Sequence, residues 1–301
     1  MGIKNRLQHF ILPPLLVVLL TFGGPVNAQT SSMNYPVQFS QFIFSYPMIN
    51  PASTGVTNNN SISLGYQKPV SGFTGISTYY FNLCFVPYRT ERAKTNKSII
   101  GARFFNDNEG AFINRSRFYL TYAFHTALTG NLKLSGGIDL GAMNFTVKAT
   151  PTTEGASVYR IDAGSGVWLY NDRFHAGISV GQIFRSVFQP LDERIILPAY
   201  ISISGSYAII DRDEVIIRPH LLVTYPYYST ANIQASVYGL FFDRLIAVAG
   251  LNYGRNVSFM FGLNDIQIFS NGLDIILSYS TTVHKASLSI TRLEVSINYE
   301  F

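Results

Sequence analysis

Charge is what this chain has least of. Asp, Glu, Lys and Arg make up 13% of its 301 residues, against ~25% in ordinary soluble domains. Cysteine is nearly absent: Cys84 stands alone, which excludes an intramolecular disulfide. It lies among Leu83, Phe85 and Val86, as a small buried or lipid-facing residue would rather than a reactive thiol. Basic residues form no cluster beyond Arg89 to Lys97, so nucleic acid is not expected as a partner. Beyond His9 the histidines are His125, His175, His220 and His284, none at metal-ligand spacing, and no H-E-x-x-H occurs. Gly164-x-Gly166 opens no helical pattern, so it is not a nucleotide loop, and its glycines suit strand bending or close backbone packing. The expectation is a non-enzymatic protein without cofactor or metal.

Long apolar runs are also missing. The first 28 residues read as a secretory signal peptide, with Lys4 and Arg6 ahead of an apolar stretch from Phe10 to Phe22. Val26-Asn27-Ala28 supplies small residues at −3 and −1, so cleavage is expected before Gln29. That stretch is shorter than the ~20 residues of a spanning helix, and no other run reaches that length.

What the chain does have is apolar and aromatic. Hydrophobic residues make up 47%, with 19 Tyr and 23 Phe but one Trp, and the mean hydropathy is +0.17. A chain this apolar without spanning helices fits a barrel that crosses lipid with strands and keeps aromatic girdles at the interfaces. The end of the sequence alternates strictly. Leu293, Val295, Ile297, Tyr299 and Phe301 are interleaved with Glu294, Ser296, Asn298 and Glu300. Successive strand side chains point to opposite faces, so the first set would touch hydrocarbon and the second a lumen. Tyr299 and the terminal Phe301 resemble the C-terminal targeting signal of outer-membrane barrels.

Alternation between turn signals predicts about fourteen strands. They lie near 60–67, 73–87, 97–106, 114–126, 132–148, 158–170, 173–185, 199–210, 214–225, 230–241, 244–253, 257–267, 272–282 and 286–301. An even number suits a closed antiparallel barrel with both ends in the periplasm. Turns at 127–131, 171–172, 211–213, 242–243 and 268–271 are then periplasmic. Those at 107–113, 149–157 and 186–198 are extracellular and longer, while the long charged connector 88–96 breaks the rule. The predicted organisation is a signal peptide over 1–28, a lead segment rich in aromatics and proline over 29–58, and a barrel over 59–301. So many aromatics argue against a disordered lead. It either packs inside the barrel as a plug or docks on a periplasmic partner. Asn50-Pro51 favours a turn before the first strand.

Several stretches carry a family resemblance. Gln38-Phe39-Ser40-Gln41-Phe42 and Ile49-Asn50-Pro51-Ala52-Ser53-Thr54-Gly55 open the series. Gly101 to Gly110, Tyr122 to His125 with Leu132 to Gly137, and Asp162 to Tyr170 with Phe174 to Ser179 follow in order. Together they resemble the PorP/SprF family of Bacteroidetes outer-membrane proteins, associated with type IX secretion and gliding motility. Two departures stand out. Only Gln67 and Gly72 match the family's Arg-x-Gln-Trp pattern, and Ile290 to Glu294 replaces its Gly-Ser-His-Glu element.

The resemblance implies an accessory in the outer membrane of a Gram-negative bacterium. It would help secrete, or hold at the cell surface, a large protein such as an adhesin through that protein's C-terminal domain. Other type IX components and outer-membrane lipid would be further partners. Candidate partner-binding residues are Phe39, Gln41, Asn50 and Pro51 in the lead, with Tyr159 and Phe188 as apolar anchors at extracellular loops. A barrel of this size is too narrow inside for a folded protein, which favours a scaffold over a conduit. The lead with its Asn-Pro-Ala element also resembles the N-terminal plug of fourteen-stranded fatty-acid transporters. The alternative is therefore a passive transporter of small hydrophobic molecules.

Overall fold

The computed structural model describes residues 39–301 apart from 58, 71–74, 88–95, 151–153, 189–194, 227–230, 253–255, 269–270 and 283–290. Among the described residues the strands are β1 (Ser61–Pro69), β2 (Ser77–Phe85), β3 (Asn96–Glu109), β4 (Ile113–Thr129), β5 (Leu132–Val147) and β6 (Ala156–Tyr170). Next come β7 (Phe174–Gly181), β8 (Val187–Phe188), β9 (Ile195–Ile196), β10 (Tyr200–Tyr207), β11 (Ile210–Arg212) and β12 (Val215–Pro226). The last are β13 (Asn232–Phe241), β14 (Leu245–Asn252), β15 (Asn256–Ile268), β16 (Asn271–Thr282) and β17 (Arg292–Glu300).

Strands β8 and β9 pair only with each other, as a small ribbon. Strands β10 and β11 both pair with β12 and make one stave broken at Ala208-Ile209. Every other strand pairs antiparallel with its chain neighbours, which leaves fourteen staves. The ring closes where β1 meets β17, from Ser61 opposite Glu300 to Pro69 opposite Arg292. Closure removes the free edge that an open sheet would present inside a membrane.

Alternation sorts the side chains as the sequence requires. On β4, Arg115, Arg117, Tyr119, Thr121, Ala123 and His125 are buried, while Phe118, Leu120, Tyr122 and Phe124 are exposed. On β17, Glu294 and Ser296 turn inward, and Val295 and Ile297 outward. An apolar outside around a polar inside is the pattern of a barrel solvated by lipid. No helix among the described residues is long and apolar enough to cross a membrane.

Most expected strands recur within a few residues, and the differences have local causes. The stretch expected over 173–185 ends at Gly181, because Gln182 and Arg185 take left-handed backbone with φ of 54° and 47°. The connector expected over 107–113 shrinks to 110–112, since β3 and β4 pair as far as Glu109 and Ile113. The turn expected at 242–243 is present, with both Phe242 and Asp243 left-handed. The alternation at 286–290, within the predicted last strand, lies outside the described residues, and β17 is described from Arg292.

Candidate functional site

The segment that precedes β1 lies against the inward-facing side chains, and it is where the buried chemistry concentrates. It forms three 3₁₀ turns, Phe42–Phe44, Tyr46–Met48 and Pro51–Ser53. Pro47 is the second residue of the second turn and Pro51 the first of the third, within the first turn where their fixed φ and missing N–H do no harm. Asn50 caps the third turn, its Oδ1 accepting from the Ala52 N–H at 3.0 Å. Its amide Nδ2 donates to the carbonyls of Val167 on β6 and Ile178 on β7, both at 3.1 Å. One side chain thus ties the lead to two neighbouring staves.

Five lead carbonyls are each received by a barrel side chain. Arg103 Nη1 donates to Pro47 O at 2.9 Å, Ser179 Oγ to Ile49 O at 2.9 Å and Lys97 Nζ to Gly55 O at 2.6 Å. Ser135 Oγ donates to Ala52 O, and His125 Nε2 to Thr54 O at 2.8 Å. A carbonyl only accepts, so Nε2 carries the His125 proton and Nδ1 accepts from the Tyr170 hydroxyl at 2.9 Å. Turns Pro51–Ser53 and Tyr46–Met48 leave buried carbonyls without helical partners, and these donors satisfy them. At the other end, Gln41 Nε2 donates to Glu294 O at 3.1 Å, Ser296 Oγ donates to Gln41 Oε1, and the Ser40 N–H donates to Glu294 Oε2 at 3.0 Å.

Packing complements these bonds. Phe42, Ile43, Tyr46 and Ala52 share a core with Trp168, Tyr170, Leu222, Leu240, Ile246, Val248, Met260 and Ile276. Phe39 and Met48 pack with Tyr80 and Phe105. The Tyr46 ring meets His175 edge-on at 4.6 Å, and His175 stacks on Trp168 at 4.6 Å. Burial pushes the Tyr46 phenol well above its ordinary range, so its hydroxyl stays protonated and donates to His220 Nδ1 at 2.8 Å. Two glycines make room for the lead. A Cβ on Gly137 would lie 2.4 Å from Ala52 N, and one on Gly166 would lie 2.1 Å from Asn50 Oδ1.

A second polar group lies on the inward face beside the lead. Asp139 is ion-paired with Arg103 and accepts from Thr121 Oγ1 at 2.5 Å. Asp162 accepts from the Tyr119 hydroxyl at 2.7 Å. Both aspartates interrupt apolar strands, and both are buried on the inward face. Two cavities of about 30 Å³ each border the lead, one beside Phe39 and Phe42 and one beside Met48.

The candidate partner residues fall into two sets. Phe39, Gln41, Asn50 and Pro51 are all buried against the barrel. Tyr159, at 68% exposed, projects from the outer face of β6. Phe188 does not stand out from its loop: it is 1% exposed, packed on Phe145 with Leu197, because β8 folds back against β6. Phe301 is half exposed and stacks on Tyr299 at 5.8 Å, whose hydroxyl accepts from Asn271 Nδ2 at 2.7 Å. His125, His175 and His220, which show no metal-ligand spacing in the sequence, all hold or line the lead. The signal was present in another form. The stretches around His125, Ser135-Gly136-Gly137, Gly166 and Gly177-Ile178-Ser179 are ones that carried the family resemblance.

A closed fourteen-stave barrel with an apolar outer band and a polar interior is the architecture of bacterial outer-membrane proteins. Solved structures of that kind share the fold. The CymD monoaromatic hydrocarbon channel superposes with a TM-score of 0.57 at 10% identity, over 84% of this chain and 91% of that chain. The toluene transporter TbuX of Ralstonia pickettii gives 0.51 at 12% identity, over 84% and 92%. The toluene transporter TodX of Pseudomonas putida gives 0.51 at 12% identity, over 89% and 95%. Among curated proteins no sequence matches this chain. The family model described as type IX secretion system membrane protein PorP/SprF matches residues 31–299, and the chain belongs to that family. It is a type IX secretion-associated protein of the outer membrane.

Proposed function

We propose that the protein is a non-enzymatic accessory of type IX secretion that helps secrete, or holds at the surface, a large protein through that protein's C-terminal domain, and that it works as a scaffold rather than a conduit. The observation that carries this reading is the occupied interior. The lead is bound to the wall from Gln41 to Gly55, and each cavity beside it has room for only about two waters. Neither cavity has the width of an unfolded chain, which favours cargo docking at the rim over passage through the lumen. The surface-exposed ring of Tyr159 on β6 is one candidate anchor, and the described strand β8 lies against β6. Phe39, Gln41, Asn50 and Pro51 contact a partner only if the lead leaves the lumen.

The second reading, a passive transporter of small hydrophobic molecules, draws on the hydrocarbon transporters that share the fold. Against it stands cavity size, since holding one benzene takes a cavity of about 150 Å³. Affinity purification of the tagged protein from native outer membranes, with mass spectrometry of what accompanies it, separates the two. The accessory role predicts a large secreted protein and type IX components at near-stoichiometric yield. Recovery of the barrel alone would overturn it.

A further inference from the structure

The cavity beside Met48 gathers polar atoms left unpaired among the described residues. Arg103 Nε, Arg117 Nη2, Asp162 Oδ1 and Gln182 Nε2 have no hydrogen-bond partner among the described residues, and all four residues line this cavity. Each residue is more than nine-tenths buried. Buried polar groups are almost always satisfied, so four orphans around one space point to a ligand or water. The neighbouring atoms are already committed. Arg103 Nη1 holds Pro47 O, Arg103 Nη2 holds Asp139, and Asp162 Oδ2 holds the Tyr119 hydroxyl. Gln182 itself takes left-handed backbone at φ 54°, a conformation that clusters at functional sites.

The chemistry of the unpaired atoms selects the occupant. Three are donors and one, Asp162 Oδ1, is an acceptor. Two guanidiniums, Arg103 and Arg117, face two carboxylates, Asp139 and Asp162. An anion would meet Asp162 and a cation would meet the arginines. A neutral group that accepts through one atom and donates through the next fits both. We propose that this cavity is a binding site for a primary carboxamide, its oxygen taking the Arg117 and Gln182 donors and its NH₂ donating to Asp162 Oδ1. The two polar atoms of a carboxamide replace the two waters that about 30 Å³ accommodates. Met48, Phe105 and Ala163 supply the apolar contact for the attached carbon. The group arrives either on a small free amide or on an Asn or Gln side chain of a polypeptide.

The test uses the full-length protein in detergent and saturation-transfer NMR with acetamide, acetate and methylammonium. Acetamide gives contacts and the two ions give none. Capped Gly-Asn-Gly and Gly-Ala-Gly peptides separate the sources: binding of the Asn peptide alone assigns the site to a polypeptide side chain, and acetamide without either peptide assigns it to small solutes. Asp162→Asn turns the single acceptor into a donor and removes one negative charge, while its remaining oxygen still serves Tyr119. That variant loses acetamide by at least about tenfold and gains acetate, a reversal that loss of structure does not produce. Should Asp162→Asn fail to show heat-modifiable mobility, Arg117→Gln gives the same acetamide loss without the gain of acetate. Silence from acetamide, acetate binding to the native protein, or unchanged acetamide binding in the folded variants overturns the proposal.

Discussion

Valine at Gly137 will drive the lead segment off the barrel wall. The added Cβ would fall 2.4 Å from Ala52 N and 2.5 Å from the Pro51 carbonyl carbon. Those are backbone atoms, so no rotamer change relieves the overlap, and the turn Pro51–Ser53 must move. Moving it breaks the Ser135 bond to Ala52 O, the His125 bond to Thr54 O, and the Asn50 bonds to Val167 and Ile178. Overpacking costs about 1–3 kcal/mol, and each lost hydrogen bond about 1 kcal/mol. Together these amount to roughly 5–7 kcal/mol against the docked lead, a shift of at least about 1,000-fold in its population.

Chymotrypsin reads the change, because Phe39 and Phe42 are buried in the native protein. Cleavage in the lead should be slow in the native chain and fast in Gly137→Val, with heat-modifiable mobility showing that the barrel itself still folds. Gly136→Val is the control, since a Cβ there meets nothing within 4 Å. Equal protection of the lead in Gly137→Val and the native chain would mean that close approach at Gly137 does not hold it.

Loss of the Asp139 carboxylate should cost far more than loss of any carboxylate on the rim. Asp139→Ala strands the buried Arg103 guanidinium, which also holds Pro47 O and lies 4.7 Å over the Tyr119 ring, and it strands the Thr121 hydroxyl. Breaking one side of a buried pair costs about 3–5 kcal/mol, because the remaining charge is left without a partner in low dielectric. The contrast is Asp211, whose pair with Arg173 at 3.1 Å is largely exposed, so that Asp211→Ala should cost no more than about 1 kcal/mol. Urea unfolding in detergent compares the two. Similar midpoint shifts would show that the Arg103–Asp139 pair is not the interior anchor that its geometry describes.

The wall of this barrel was readable in the sequence because its code is local. Alternation of Leu293, Val295 and Ile297 with Glu294 and Ser296 specifies both a strand and its orientation, and β17 obeys it. Turns at Asn171-Asp172 and Phe242-Asp243 were equally legible. The contents of the lumen were not. Asn50-Pro51 announces a turn, but nothing adjacent in the chain says that Asn50 will meet carbonyls more than a hundred residues away. Inward polar residues look alike whether they face water or a peptide, so His125, Ser135 and Ser179 carried no mark of their role. Phe188, expected as an apolar anchor at a loop, is buried for a related reason. Position in a loop sets local backbone, whereas burial depends on where β8 folds, and that is fixed by Phe145 on the distant strand β5 together with Leu197 just after β9.

The most direct measurement is the conductance of the full-length protein in planar bilayers, beside a variant that lacks residues 39–57. A lumen filled by the lead predicts that the native protein is nearly silent and that the deletion opens stable steps. Large, steady conductance from the native protein, unchanged by the deletion, would contradict the occupied interior and with it the scaffold role.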